Sequence, residues 1–231
     1  MKKCEAIIQK AITEGRTALL LDEAMQICNL HHIPMPEFYL TLSKDEALEK
    51  AKKIGYPVAL KIVSAQILHK SDSGGVVLNI RDDEELKVGY EKTMAIPKEK
   101  LAGILVEKMM PSAIELIIGG IRDSQFGPAV MFGIGGIFTE VYNDVAFRIA
   151  PIGKIDAMDL IQEIAGGKLL ESIRGKTIDT SSIADALLNI SHLMTEHEEI
   201  NQIDLNPVLA YSDSLCAVDA RIILEEKKEG R

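Results

Sequence analysis

Near the end of the chain, the oxygen-bearing side chains Asp204, Asn206 and Asp219 have the types and spacing to hold a divalent cation. Two apolar runs, Ile203–Tyr211 and Leu215–Leu224, flank Ser212-Asp213 and read as the arms of a hairpin. In the register that pairs Tyr211 with Ser214, Asn206 falls opposite Asp219. Asp204, two residues from Asn206, then shares its sheet face. Oxygen ligands from paired strands suit Mg²⁺, which keeps several waters and takes its remaining ligands from the phosphates of a nucleotide. Taken alone, the same residues are also compatible with a surface hairpin carrying scattered turn-forming Asp and Asn.

A second element lies far upstream. Tyr56–Val63 reads as a buried strand with one lysine, Lys61, among β-formers. A buried lysine requires an anion. The polar stretch Ser64–Ser73 follows, containing His69, and leads through Gly74-Gly75 into a further strand, Val76–Ile80. Glycines let backbone N–H groups approach phosphate oxygens, although Gly-Gly after Ser-Asp-Ser also suits an ordinary turn. Neither a Walker A sequence nor Gly-x-Gly-x-x-Gly is present.

Together these residues resemble the ATP-grasp superfamily, and more closely the nucleotide-binding subunit of ADP-forming acyl-CoA synthetases. The resemblance is carried in order by Gly55–Ser64, Ile67–Val76, Glu115–Gly136, Phe147–Ile152 and Ile203–Leu224, and covers nearly the whole chain. It implies an α+β ATP-grasp fold with two lobes clamping ATP or ADP, and Mg²⁺ on Asp204, Asn206 and Asp219. It further implies nucleotide contacts from Lys61, Gly74, Gly75, the hinge Glu107-Lys108-Met109, Glu115 and Arg148. Without the resemblance, Glu107-Lys108 reads as a solvated charge pair at a strand end. Glu115, inside an apolar strand, must face water or a partner, and Arg122 and Arg148 are the candidate structural partners.

The resemblance also gives His69 a chemical role. A neutral imidazole is a nucleophile near neutral pH and a good leaving group once phosphorylated, so it can relay a phosphoryl group to ADP. Spacing alone would leave His69 a solvated loop residue. The remaining histidines read as structural: His31-His32 end a helix, and His192 and His197 have the wrong spacing for an i,i+4 metal pair. Phe132–Phe138 is a second glycine-rich turn. It serves either tight backbone packing or the receipt of a phosphohistidine from a companion subunit, with Glu140 nearby.

No strand–glycine–helix unit for coenzyme A is found, so the resemblance implies half an enzyme. Its partner would be a CoA-binding alpha subunit in a heterotetramer, and the full complex would interconvert acyl-CoA, ADP and phosphate with acid, ATP and coenzyme A. A free-standing ATP-grasp carboxylate ligase and a noncatalytic nucleotide-sensing subunit are the alternatives.

Composition fits this class. The net charge of −9 leaves no basic stripe for a nucleic-acid backbone. Cys4, Cys28 and Cys216 are odd in number and far apart, which argues against a disulfide frame or a thiolate metal site. The basic start at Lys2-Lys3 is followed by Glu5, Gln9, Lys10 and Glu14, which interrupt any signal-like apolar core, and no uncharged run is long enough to span a bilayer. No membrane partner and a cytoplasmic location are therefore expected.

These residues need elements to position them. Amphipathic patterning predicts helices over 2–16 and 22–31. Ser43 caps a helix through Ile54, Asp82 opens another to about Met94, and Asp156–Ala165 and Ser182–Glu198 follow. Strands are predicted at Ile104–Met109, Ala113–Ile121, Ala129–Phe132 and Ala146–Ile149. The expected organisation is an N-terminal helix over 1–20, one lobe over 21–100, a second over 101–225 and a charged tail over 226–231, with the lobe boundary in Ala95–Leu101.

Overall fold

The structure is a computed structural model that describes residues 2–65, 74–95, 101–135, 144–164 and 178–225. Its described elements are helices α1 (Lys2–Thr13), α2 (Leu21–Leu30), α3 (Lys44–Ile54), α4 (Asp83–Met94), α5 (Lys154–Glu163) and α6 (Thr180–Glu196). The strands are β1 (Phe38–Thr41), β2 (Val58–Ser64), β3 (Val76–Ile80), β4 (Leu101–Lys108), β5 (Ile114–Asp123), β6 (Gly127–Ile134), β7 (Val145–Ile149), β8 (Ile200–Ala210), β9 (Leu215–Ala217) and β10 (Arg221–Leu224). The chain divides into two compact units, one formed by Leu20–Glu23 with Pro36–Pro111, the other by Met1–Leu19, Ala24–Met35 and Ser112–Arg231.

The first unit is a four-stranded antiparallel sheet, β1-β4-β2-β3, with α3 and α4 against one face. Both helices start where their caps dictate. Ser43 Oγ accepts the Glu46 N–H at 3.2 Å, and Asp82 Oδ1 accepts the N–H groups of Glu84 and Glu85 at 3.0 and 2.9 Å. Gly55, at φ 82°, ends α3 in a backbone region that favours glycine. Val58, Leu60, Ile104 and Val106 meet Ala47, Ala51, Leu86 and Tyr90 in the core. Every residue of β2 is buried, so its other face, carrying Ala59, Lys61 and Val63, is also removed from water.

The unit boundary differs from the sequence expectation. The chain passes from one unit to the other at Pro111–Ser112, after β4 and not before it. β4 is an inner strand of the first sheet, hydrogen-bonded to β1 along one edge and β2 along the other, so it cannot belong to the second unit. Lys61 pairs with Leu105 across that ladder.

The second unit is built on a six-stranded antiparallel sheet in the order β10-β8-β5-β6-β7, with β9 also paired to β8. Ile183, Leu187, Ile190 and Met194, spaced at the helical period, form the buried stripe of α6. Asp179 caps α6 by accepting the Ser181 N–H at 3.0 Å, which starts the helix two residues before the expected Ser182. A Cβ on Gly120 of β5 would come within 2.7 Å of Met194 Cγ, so glycine there sets how closely α6 rests on the sheet.

Candidate functional site

The cation-binding expectation rests on register, and the register holds. Val208, Leu209 and Ala210 pair with Ala217, Cys216 and Leu215, and the Tyr211 N–H donates to the Ser214 carbonyl at 2.8 Å. Beyond a short break the same register resumes, with Asp204 opposite Arg221 and Ile203 opposite Ile222. Asn206 and Asp219 therefore face each other across the break. The second arm is not the continuous strand expected over Leu215–Leu224. Pro207 has no N–H to give, and only its carbonyl bonds across, to the Val218 N–H at 3.1 Å.

The other edge of β8 adds a feature that periodicity does not reveal. β5 pairs Leu116 with Val208 and Ile118 with Leu205, so Asn206 and Pro207 together oppose the single residue Ile117. This is a β-bulge, a device that bends a strand and re-aims a side chain. Leu205 is buried, Asp204 half-buried and Asn206 exposed, so the acid and the amide leave the core face. Burial raises the Asp204 carboxyl above its ordinary range and Asp219 adds to the rise, while Arg221 opposes it. Asp219 Oδ1 accepts the N–H of Ala220 at 3.0 Å. Arg221, cross-strand from Asp204 with its Nε buried and unbonded, is a cationic neighbour that the sequence reading overlooked.

In the first unit, Lys61 has the anion that a buried lysine needs: its Nζ lies 2.7 Å from Glu107 Oε1. Glu107 sits opposite Ala59, one pleat along from Leu105, so both charges occupy the sheet face away from α3 and α4. The solvated Glu107-Lys108 pair is thus excluded. Glu107 is buried, and Lys108 turns to the opposite side, donating through Nζ to the Gly55 carbonyl at 2.7 Å. At the end of β4, the Lys108 and Met109 N–H groups donate to the carbonyls of Glu37 and Pro57 at 2.9 and 3.1 Å. Gly74, exposed and at φ 72°, and Gly75, whose carbonyl accepts the Ile62 N–H at 2.8 Å, lead into β3.

Glu115 is exposed on β5. Neither arginine considered as its structural partner is available for that role. Arg122 donates to the carbonyls of Met194, His197 and Ile200, closing the end of α6, and Arg148 pairs with Glu163 at 2.6 Å. Arg148 is thus a partly exposed surface ion pair on β7 in this structure. The glycine-rich turn expected over Phe132–Phe138 is, at Phe132–Ile134, the end of strand β6, and Gly135 beyond it packs backbone against backbone. Gly135 donates to the Glu115 carbonyl at 2.7 Å, and a Cβ on it would meet Glu115 at 3.1 Å. His69, Gly136 and Glu140 lie outside the described residues.

No local motif marks a third grouping, which comprises Cys4, His31 and His197. Their potential ligand atoms all lie within 4.8 Å of one another. The three residues are separated along the chain and only folding brings them together.

A family model described as an ATP-grasp domain matches residues 10–224. The chain is 46% identical over 96% of its length to the beta subunit of ADP-forming acetate–CoA ligase I of Pyrococcus furiosus, covering 98% of that protein. It is 38% identical over 90% of its length to the ADP-forming 4-hydroxybutyrate–CoA ligase of Nitrosopumilus maritimus, of which it spans 30%. A solved structure of acetyl-coenzyme A synthetase 1 from Candidatus Korarchaeum cryptofilum, with coenzyme A and Mg-AMPPCP and a phosphohistidine segment pointing towards the nucleotide site, superposes with a TM-score of 0.87 at 43% identity, covering 96% of this chain and 100% of that one. This end-to-end similarity places the chain in the ATP-grasp family, among the beta subunits of ADP-forming acetate–CoA ligases.

Proposed function

We propose that this chain is the nucleotide-binding subunit of an ADP-forming acyl-CoA synthetase and passes a phosphoryl group through His69 between a CoA-binding alpha subunit and ADP. The observation that carries the reading is the match along almost the full length of both this chain and the Pyrococcus furiosus beta subunit. A free-standing ligase would need its own acid pocket. The chain corresponds to only 30% of the Nitrosopumilus maritimus relative. Relatives named for acetate and for 4-hydroxybutyrate share this part, which supports placing the choice of acid on the companion polypeptide.

Hard oxygen donors fit Mg²⁺, and Asp204, Asn206 and Asp219 supply such donors from neighbouring strands in one register. They would hold the ion, which supplies charge neutralisation of the nucleotide phosphates when bound. Burial, with a smaller contribution from Asp219, disfavours the charge on Asp204, and a cation would relieve that cost. Lys61, held by Glu107, presents its ammonium to the phosphates. Glu115 serves the nucleotide together with the backbone carbonyls of Lys108-Met109, whose N–H groups are already bonded to Glu37 and Pro57, and Gly74-Gly75 follow the segment that bears His69. In the relay, a lone pair on neutral His69 forms an N–P bond to the γ-phosphorus of ATP. The bond from that phosphorus to the bridging oxygen breaks, and ADP leaves with the electron pair. In the reverse direction, the terminal oxygen of ADP takes the phosphoryl group back.

The test is reconstitution with a CoA-binding companion subunit, measuring ATP formed from acetyl-CoA, ADP and phosphate. Turnover that requires both chains is expected. Turnover of an acid, ATP and coenzyme A by this chain alone would identify a free-standing ligase, and nucleotide binding without turnover in the presence of the companion would identify a sensor.

A further inference from the structure

Cys4 near the start of α1, His31 just past the end of α2, and His197 at the end of α6 belong to one unit of the fold and converge there. Cys4 and His197 are buried and His31 is half-buried. Each is held by its backbone. The His31 N–H bonds to the carbonyls of Ile27 and Cys28, and His32 follows at φ 58°, so the Ile33 N–H can close back onto Cys28 at 2.9 Å. Asn189 of α6 donates to the His32 carbonyl at 3.2 Å, tying the end of α2 to α6. The His197 N–H donates to Leu193, and its carbonyl accepts from Arg122 and Ile200.

Against that fully engaged backbone, one atom stands out. The Nε2 of His197 is buried and has no hydrogen-bond partner, although the residue is only 5% exposed. An unsatisfied buried polar nitrogen costs on the order of 1–3 kcal/mol, so such atoms are rare without a ligand. The His31 and His197 rings stand edge to face, centroids 5.5 Å apart. Burial, reinforced by His197, lowers the proton affinity of His31, and burial pushes the Cys4 thiol up to about 11. A bound cation would take Cys4 as its thiolate, with release of the thiol proton to solvent.

We infer that Cys4, His31 and His197 form a binding site for a borderline-soft divalent ion of the zinc class, with water in the fourth position. One sulfur and two imidazole nitrogens are the donors that zinc accepts and that Mg²⁺ and Ca²⁺ do not prefer. Tetrahedral zinc would hold these donors roughly 3.3–3.6 Å from one another, inside the 4.8 Å within which they already lie. The ion would staple three elements distant in sequence, satisfy the His197 nitrogen, and act independently of the nucleotide site.

The test uses the full chain stripped with a chelator, with Mg²⁺ in excess to occupy oxygen-donor sites. One equivalent of Zn²⁺ is expected to bind in equilibrium dialysis and to raise the thermal midpoint. Co²⁺ in its place should give a thiolate-to-cobalt charge-transfer band together with tetrahedral d–d absorption. Cys4→Ser should abolish the charge-transfer band, and His31→Gln, at the half-buried position where misfolding is least expected, should weaken Zn²⁺ binding by more than the roughly 10- to 100-fold that losing an outer-shell partner costs. No binding of Zn²⁺ to the wild-type chain, or affinity and spectra unchanged in His31→Gln, would overturn the site whatever the stability of Cys4→Ser.

Discussion

Lys61 and Glu107 place an ammonium and a carboxylate 2.7 Å apart on a sheet face where the two side chains are 7% and 4% exposed. Each charge depends on the other, and the lysine is held ready on β2 with its long side chain already ordered. Removing one partner from a buried pair leaves an uncompensated charge, whereas replacing both with apolar groups is far milder. Glu107→Leu is therefore expected to cost about 3–5 kcal/mol in urea denaturation. The double variant Lys61→Met/Glu107→Met should recover part of that loss, and additive losses would show that the two side chains are not coupled. Because Lys61 is also assigned to phosphate, Lys61→Met should weaken ATP binding by about 1.5–3 kcal/mol, the range for charge-assisted hydrogen bonds. Unchanged ATP affinity by calorimetry would leave Lys61 with a purely structural role.

Asn206 is exposed at the bulge and Asp219 faces it across the break in the ladder. Asn206→Ala should leave stability within about 0.5 kcal/mol, as for most surface substitutions, yet abolish Mg-nucleotide turnover in the reconstituted complex. Wild-type kcat at saturating Mg²⁺ in this variant, or in Asp219→Ala, would remove the pair from the metal assignment.

Asp204 makes the opposite trade between stability and function. Its folded carboxyl titrates above the ordinary value because burial disfavours the charge, so the folded chain binds more protons than the unfolded chain just above the ordinary carboxylate range. Metal-free stability should fall as pH rises through that window. Asp204→Asn removes the cost of ionisation. Its thermal midpoint in chelator should exceed wild type at neutral pH, and the advantage should disappear in acid, below the ordinary carboxylate value. A variant less stable than wild type at neutral pH would mean that pairing with Arg221 outweighs burial.

Gly119 lies opposite Asp204, and a Cβ there would stand 2.7 Å from the Ile203 carbonyl oxygen. That neighbour is backbone and has little room to yield. Gly119→Ala is expected to cost about 1–3 kcal/mol, the range for overpacking, and to shift the strand that carries Asp204 and Asn206. Stability and Mg-dependent turnover should therefore fall together, and wild-type values of both would show that β8 moves aside without cost.

The parts of this molecule legible in the sequence are those set by local rules. Ser43 and Asp82 announce their helices because a short side-chain oxygen satisfies the orphan N–H groups of a first turn. The α6 stripe follows the 3.6-residue period, and the hairpin register follows from its two-residue turn, which is why Asn206 and Asp219 could be placed opposite each other. What escaped depends on contacts made at a distance. The bulge at Asn206-Pro207 exists only in relation to Ile117 of another strand. β4 was assigned to the wrong unit because strand patterning does not reveal which neighbours a strand will bond. Glu107 read as solvated because nothing local to it announces Lys61. Cys4, His31 and His197 have no spacing signature at all, since their convergence is produced by the packing of α1, α2 and α6.

His69 separates phosphoryl relay from the alternatives, because only a relay makes the protein itself a covalent intermediate. Incubated with γ-labelled ATP and Mg²⁺, together with its companion subunit, the chain should acquire a phosphate that is labile in acid and stable in base, the behaviour of a phosphoramidate. His69→Ala should lose the label and overall turnover while keeping nucleotide affinity, since the relay assigns the imidazole to the γ-phosphoryl group and nucleotide binding to other residues. A carboxylate ligase would keep turnover in that variant, and a sensing subunit would never be labelled. Label persisting on the chain in His69→Ala would assign the covalent step to a different residue and leave the metal and lysine assignments intact, because those are tested by affinity and not by phosphoryl transfer.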